Sequence, residues 1–137
     1  MLCLVLVLIM AFSFSVNAFG LDKLEIEPGN DYDLNYVALQ SAYNYLSMAN
    51  NTAYCYHKVQ VRDGYNGKVT TILQRKNGNT WSEVGSWSET VNRYLETTKE
   101  IPISKGYTYR LKTYVNVYNS AGTYVEGTTK FSGEVSY

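Results

Sequence analysis

The chain has 137 residues, with 12 Lys plus Arg balancing 12 Asp plus Glu, a length that allows one ordinary domain and not two. Charged residues are only 18% of it and two are proline, which argues against a disordered or coiled-coil chain. Fourteen Tyr, four Phe and two Trp favour β-structure instead.

Residues 1–18, MLCLVLVLIMAFSFSVNA, carry no charged side chain, and Val16 and Ala18 occupy the −3 and −1 positions of a cleavage site before Phe19. No Lys or Arg follows Met1, so an uncleaved membrane anchor is the alternative. Residues 2–16 are diluted by Ser13 and Ser15 and fall short of the about 20 that a spanning helix needs. A secretory signal peptide is therefore expected. The mature chain is expected to be secreted, extracellular or cell-wall associated, with no membrane span after cleavage. Cys3 leaves with the signal, and Cys55 stands alone. That excludes a disulfide scaffold in the monomer; Cys55 is expected to be a small buried hydrophobe, with pairing between chains as the alternative.

Residues 19–36 form an acidic leader, in which Asp22, Glu25, Glu27, Asp31 and Asp33 outweigh Lys23. The rest of the chain carries 11 basic and 7 acidic residues. The leader reads as a solvated approach to the domain, with electrostatic docking on the basic remainder as the sharper alternative.

From residue 37 to 137, turn signals recur every 13 to 15 residues: Asn50-Asn51, Asp63-Gly64 with Asn66-Gly67, Asn77-Gly78-Asn79, Ser104-Lys105-Gly106 and Asn119-Ser120-Ala121-Gly122. The gap at 91–93 lacks Gly. Seven strands are predicted between them, near 37–48, 52–62, 68–75, 81–88, 94–103, 107–118 and 123–135. In 52–62, Ala53, Cys55, Val59 and Val61 alternate with Lys58, Gln60 and Arg62. In 107–118, Tyr107, Tyr109, Leu111, Val115 and Val117 share a face, with Thr113 between them, opposite Thr108, Arg110, Lys112 and Asn116. The last run sets Val125, Phe131 and Val135 against Glu126, Lys130 and Glu134. Period two with one polar face means antiparallel strands wet on one side. Seven of them predict a single all-β antiparallel sandwich of immunoglobulin or fibronectin-III-like type. Tyr107, directly after a turn, is a candidate for the tyrosine that bonds back across the corner of such sandwiches. Val84 has opposite parity from Trp81 and Trp87, so a regular strand shows both Trp on one face.

The stretches Ile72-Leu73-Gln74-Arg75 and Asn77-Gly78-Asn79-Thr80-Trp81, with Val84, Trp87 and Lys105-Gly106-Tyr107-Thr108-Tyr109-Arg110, resemble a group of small secreted proteins of Gram-positive bacteria. Ala53 with Cys55 and the closing segment 124–137 fit the same pattern, so the resemblance covers about residues 45–137. It implies a secreted single β-sandwich domain of unassigned function and transfers no site residue. The acidic leader and the tyrosine load depart from that pattern.

The inventory argues against an enzyme. His57 is the sole His, so no site with several imidazoles forms, and neither a metal nor another cofactor is expected. Cys55 and His57 lie two apart on one strand, and their face continues into Val59 and Val61. That describes a buried Cys beside a packed His better than a nucleophile with its base. Glu83 and Glu89 flank Trp87, but a small sandwich has little material for a glycosidase cleft. The basic residues are spread over several strands, so nucleic acid is not expected as a partner. What remains is aromatic surface. Tyr54, Tyr56, Tyr114 and Tyr118 lie at polar-face positions, and with Trp87 and Arg110 they are the candidate binding residues, as one patch if strands 52–62 and 107–118 share a sheet. The function expected is a non-enzymatic binding module for cell-wall polysaccharide or a surface protein. A structural, self-associating extracellular protein is the alternative.

Overall fold

The structure, a computed structural model, describes residues 36–137. The expected signal peptide, and all of the acidic leader but Tyr36, lie outside the described residues. The strands are β1 (Leu39–Ala49), β2 (Thr52–Val61), β3 (Tyr65–Asn77), β4 (Thr80–Val91), β5 (Tyr94–Pro102), β6 (Thr108–Asn119), β7 (Tyr124–Phe131) and β8 (Val135–Ser136). Every pairing is antiparallel, and two sheets result, ordered β1-β2-β5 and β4-β3-β6-β7. The seven predicted runs are seven of these strands, and the fold is the predicted all-β sandwich. The eighth strand is new. Residues 132–134 interrupt the last run, and β8 resumes its line by pairing the start of β6. Ser132 fills the break, its hydroxyl accepting from Leu111 N at 2.8 Å and its N–H donating to Leu111 O at 3.1 Å.

Turn chemistry sets the hairpins. Asn50 and Asn51 form the two-residue β1–β2 loop with φ of 51° and 58°, the left-handed backbone that matches the twist of the flanking strands. At the β4–β5 turn, also without a glycine, Arg93 itself adopts φ 90°, a conformation uncommon outside Gly and Asn. Its carbonyl accepts from Val61 N at 2.8 Å, and its Nε lies 3.1 Å from Asp63 Oδ1.

On β2 and β6 the alternation runs without a slip, and Ala53, Cys55, Val59, Val61, Tyr109, Leu111, Val115 and Val117 are all buried. They divide between two apolar clusters. One joins Ala38, Leu39, Val59, Val61, Val69, Val91, Val115 and Val117. The other joins Leu46, Ala53, Cys55, Leu73, Ile103, Tyr109 and Leu111. Each fully buried aliphatic side chain contributes about 1.5–3 kcal/mol.

Three expectations are corrected. The corner tyrosine is Tyr109, not Tyr107. Tyr109 is buried, and its hydroxyl donates to Ser104 O at 2.8 Å and accepts from Ser104 N at 3.2 Å. Tyr107 precedes β6, stays 41% exposed, and covers the Arg75 guanidinium at 4.5 Å. On β7, Val125 and Phe131 turn outward, and Glu126 and Lys130 pair with the inward-facing positions Val117 and Thr113. An irregularity between Val117 and Tyr118 shifts the β7 register. The open margin toward β1 then leaves room for Glu126, whose Oε2 accepts from Val37 N (2.9 Å) and whose Oε1 accepts from Ala38 N and Leu39 N (2.6 Å each). The third correction concerns β4. A bulge opposite Leu73 and Gln74 leaves Val84 unpaired, so Trp87 pairs with inward Thr71 while Trp81 pairs with outward Lys76. One extra residue reverses every side chain beyond it, and the two Trp lie on opposite faces.

Candidate functional site

The proposed four-tyrosine patch does not assemble. β2 belongs to the three-stranded sheet and β6 to the five-stranded one, so Tyr54 and Tyr56 lie on the opposite outer face from Tyr114 and Tyr118. Trp87 lies on neither. It faces inward, half-buried against the Leu73 cluster, with its ring 6.3 Å from that of His57.

Each outer face has neighbours that the sequence reading did not bring together. On the three-stranded sheet, register places Tyr45 beside Tyr56, and the rings stack at 4.5 Å. The Tyr56 hydroxyl donates to Glu96 Oε1 at 2.8 Å, and Tyr94 donates to the other carboxylate oxygen. These two hydroxyls hold the Glu96 carboxyl below its ordinary value. Burial, then the bond to Glu96, raises the Tyr56 phenol. Tyr94 stays 49% exposed, with Lys58 Nζ 5.5 Å from its ring centre.

On the five-stranded sheet, rings and cations alternate. Lys76 Nζ is 5.5 Å from the Trp81 ring, and the Arg110 guanidinium carbon is 4.0 Å from Trp81 and 4.6 Å from Phe131. Lys112 Nζ follows, 5.7 Å from Phe131 and 4.7 Å from Tyr114. Arg110 Nε also donates to Gln74 Oε1 at 2.9 Å. Arg110 and Tyr114 were therefore placed on the right face by parity. Trp81 and Phe131 escaped because register irregularities reverse their parity. Tyr118 stands farther along the face, edge-on to Tyr124 at 6.0 Å.

Between the apolar clusters runs a polar layer built from one buried residue each of β1, β2, β3 and β6. Asn44 Nδ2 donates to Thr113 Oγ1 at 2.8 Å, the Thr113 and Thr71 hydroxyls lie 3.2 Å apart, and Thr71 Oγ1 is 3.2 Å from His57 Nδ1. His57 Nε2 lies 3.0 Å from Glu89 Oε2, and Lys99 Nζ lies 3.9 Å from Glu89 Oε1. Burial lowers the His57 pKa below its ordinary 6.5, against the opposing pull of Glu89, so the ring is neutral at neutral pH. Cys55, a member of the Leu73 cluster two residues before His57 on β2, is fully buried, and burial pushes its thiol up to about 12. A protonated, enclosed thiol has neither the charge nor the access that a nucleophile needs. Among the described residues, no three of His, Cys, Asp and Glu converge in a way that holds a metal ion. Among those residues, too, no helix is long and apolar enough to cross a membrane. Compared with known proteins, the chain matches no protein-family model and no curated sequence.

Proposed function

We propose that this protein is a secreted, non-enzymatic binding module that engages cell-wall polysaccharide through an aromatic outer sheet face. The observation that carries this reading is the chemistry of the faces turned away from the core. Tyr45, Tyr56 and Tyr94 on one sheet, and Trp81, Phe131 and Tyr114 on the other, stand in ring-to-ring, ring-to-carboxylate or ring-to-cation contact. Rigid aromatic side chains offer large contact area at low entropic cost, and sugar rings stack on them. The groups with chemical potential, His57, Glu89 and Cys55, are spent on the interior instead.

The test is co-sedimentation of the purified protein with insoluble cell-wall material. Variants Tyr54→Ala and Tyr56→Ala report on one face, and Trp81→Ala and Tyr114→Ala on the other. Pelleting of the wild type, lost with the variants of one face, is the expected result. Absence of wild-type pelleting removes the polysaccharide reading and leaves a surface protein as the partner.

A second reading, self-association, draws on the placement of exposed rings. Phe131 is 50% exposed on one face, and Tyr45 and Tyr94 are exposed on the opposite one. Contact between unlike faces of successive copies does not close and propagates into filaments. Sedimentation velocity over a wide concentration range distinguishes the two, since a binding module stays monomeric throughout.

A further inference from the structure

We infer that the contact surface is the outer face of the five-stranded sheet, and that its ligand is an anionic glycan: a sugar or polyol polymer bearing regularly spaced phosphate or carboxylate groups. This rests on the binding-module reading above and adds the face and the ligand chemistry.

The first support is charge. The face carries Lys68, Lys76, Arg110 and Lys112 against the carboxylates of Glu83 and of Glu134, which pairs with Lys76 at 3.1 Å, so Lys68, Arg110 and Lys112 outnumber the one remaining carboxylate. On the opposite sheet the outward positions beside Lys58 include Glu96 and Glu100, so its tyrosine face has no positive excess. An anionic polymer is drawn to the first face and not to the second.

The second support is order. A surface Lys or Arg ordinarily samples many rotamers and loses that freedom on binding. Here Arg110 is clamped between Trp81 and Phe131 and tied through Nε to Gln74. The guanidinium's remaining N–H donors form a planar edge suited to a phosphate or carboxylate. Lys112 is held in the same way by Tyr114 and Phe131. Arg110 and Lys112 are thus held before the ligand arrives.

The third support is spacing. Arg110 and Lys112 are two residues apart on β6, roughly 7 Å along the strand. Lys68 pairs with Asn116 on the neighbouring strand, about 13 Å beyond the Lys112 position. The Tyr114 row between them carries hydroxyls, with Thr70 and Ser88 in mutual contact at 2.8 Å. Cations at intervals along the strands, with hydroxyl groups between them, match an extended polymer rather than one small anion. The same geometry disfavours nucleic acid: a base stacking between Trp81 and Phe131 has to evict Arg110.

The experiment measures binding of the purified full chain, by calorimetry at low and high salt, to polyglycerol phosphate, polygalacturonate, a neutral glucan and single-stranded DNA. Binding to at least one of the two anionic polymers, weakened by salt and absent for the glucan, is expected, and their relative affinity tells phosphate from carboxylate. Lys112→Glu and Lys68→Glu should each weaken that binding roughly tenfold, with a milder loss for Lys112→Gln, while Tyr54→Ala leaves it unchanged. Unaltered melting curves establish that the variants fold. Wild-type affinity in both charge reversals overturns the assignment, as does tighter binding of DNA than of either anionic polymer. If wall binding survives the reversals and disappears in Tyr54→Ala, the binding-module reading stands and this face is the wrong one. If the wild type binds neither wall material nor any of these polymers, both fall.

Discussion

Replacing Thr113 by Val tests whether the polar layer stabilises the sandwich or merely occupies it. The substitution keeps the shape and removes the hydroxyl that receives Asn44 Nδ2 at 2.8 Å and meets Thr71 at 3.2 Å. Two hydrogen bonds at about 1 kcal/mol each, plus part of the cost of stranding the buried Asn44 amide, give a loss of about 2–3 kcal/mol. Asn44 retains only a long 3.3 Å contact to Lys130 O, which does not replace what is lost. Thr71→Val removes the bonds to Thr113 and His57 Nδ1 and should cost a similar amount. The double variant removes three bonds where the single variants together count four. It should therefore be less destabilised than their sum, by about 1 kcal/mol. Urea unfolding followed by tryptophan fluorescence measures all four corners of this cycle. The expected loss corresponds to a fall in Tm of roughly 4–8 °C per kcal/mol for a domain of this size. Additivity within about 0.4 kcal/mol, or a single-variant loss below about 0.5 kcal/mol, would show that the hydroxyls are not coupled as drawn.

Tyr109→Phe should cost about 1–2 kcal/mol, because its hydroxyl makes both bonds to Ser104, whereas Tyr107→Phe should change denaturant midpoints hardly at all. Equal effects would contradict the corner assignment. The pH dependence of stability between pH 5 and 7 should come from His57, the sole imidazole in the chain. Its folded pKa lies below 6.5, so its contribution is complete above that value and falls away below it, where the unfolded chain takes a proton that the native ring refuses. The slope should approach at most about 1.4 kcal/mol per pH unit, and an NMR titration placing the native ring at or above 6.5 would refute it. A separate acid loss belongs to Glu126. Burial pushes its carboxyl up, but the N–H groups of Leu39, Val37 and Ala38, with Arg62 nearby, outweigh that and hold it below 4.5. The stability it supplies is present above 4.5 and fades as pH drops further; Glu126→Gln should flatten that segment of the stability curve. Cys55 should react with a thiol reagent only as fast as the domain opens, and immediate labelling of the native protein would contradict its burial.

Residue alternation alone determined the strands and the inward faces of β2 and β6, because side chains on a central strand have a buried side and a wet side and nothing between. It placed Thr113 among inward residues and paired Cys55 with His57 on one face. It also placed Arg110, Lys112 and Tyr114 together. Alternation failed where the chain departs from strict period two. The unpaired Val84 of β4 and the register shift of β7 lie on edge strands, where only one neighbour enforces register, and there Trp81, Phe131 and Glu126 changed sides. Tertiary structure also decided what no single strand encodes: that β2 and β6 occupy different sheets, and that Asn44, His57, Thr71 and Thr113 meet in one layer. A polar residue at an inward position looks the same in sequence whether its partner waits on a neighbouring strand or not. Register within one sheet sets Thr71 opposite Thr113, and the packing of the two sheets brings Asn44 and His57 to them, which makes the difference between a buried hydrogen bond and a buried cost.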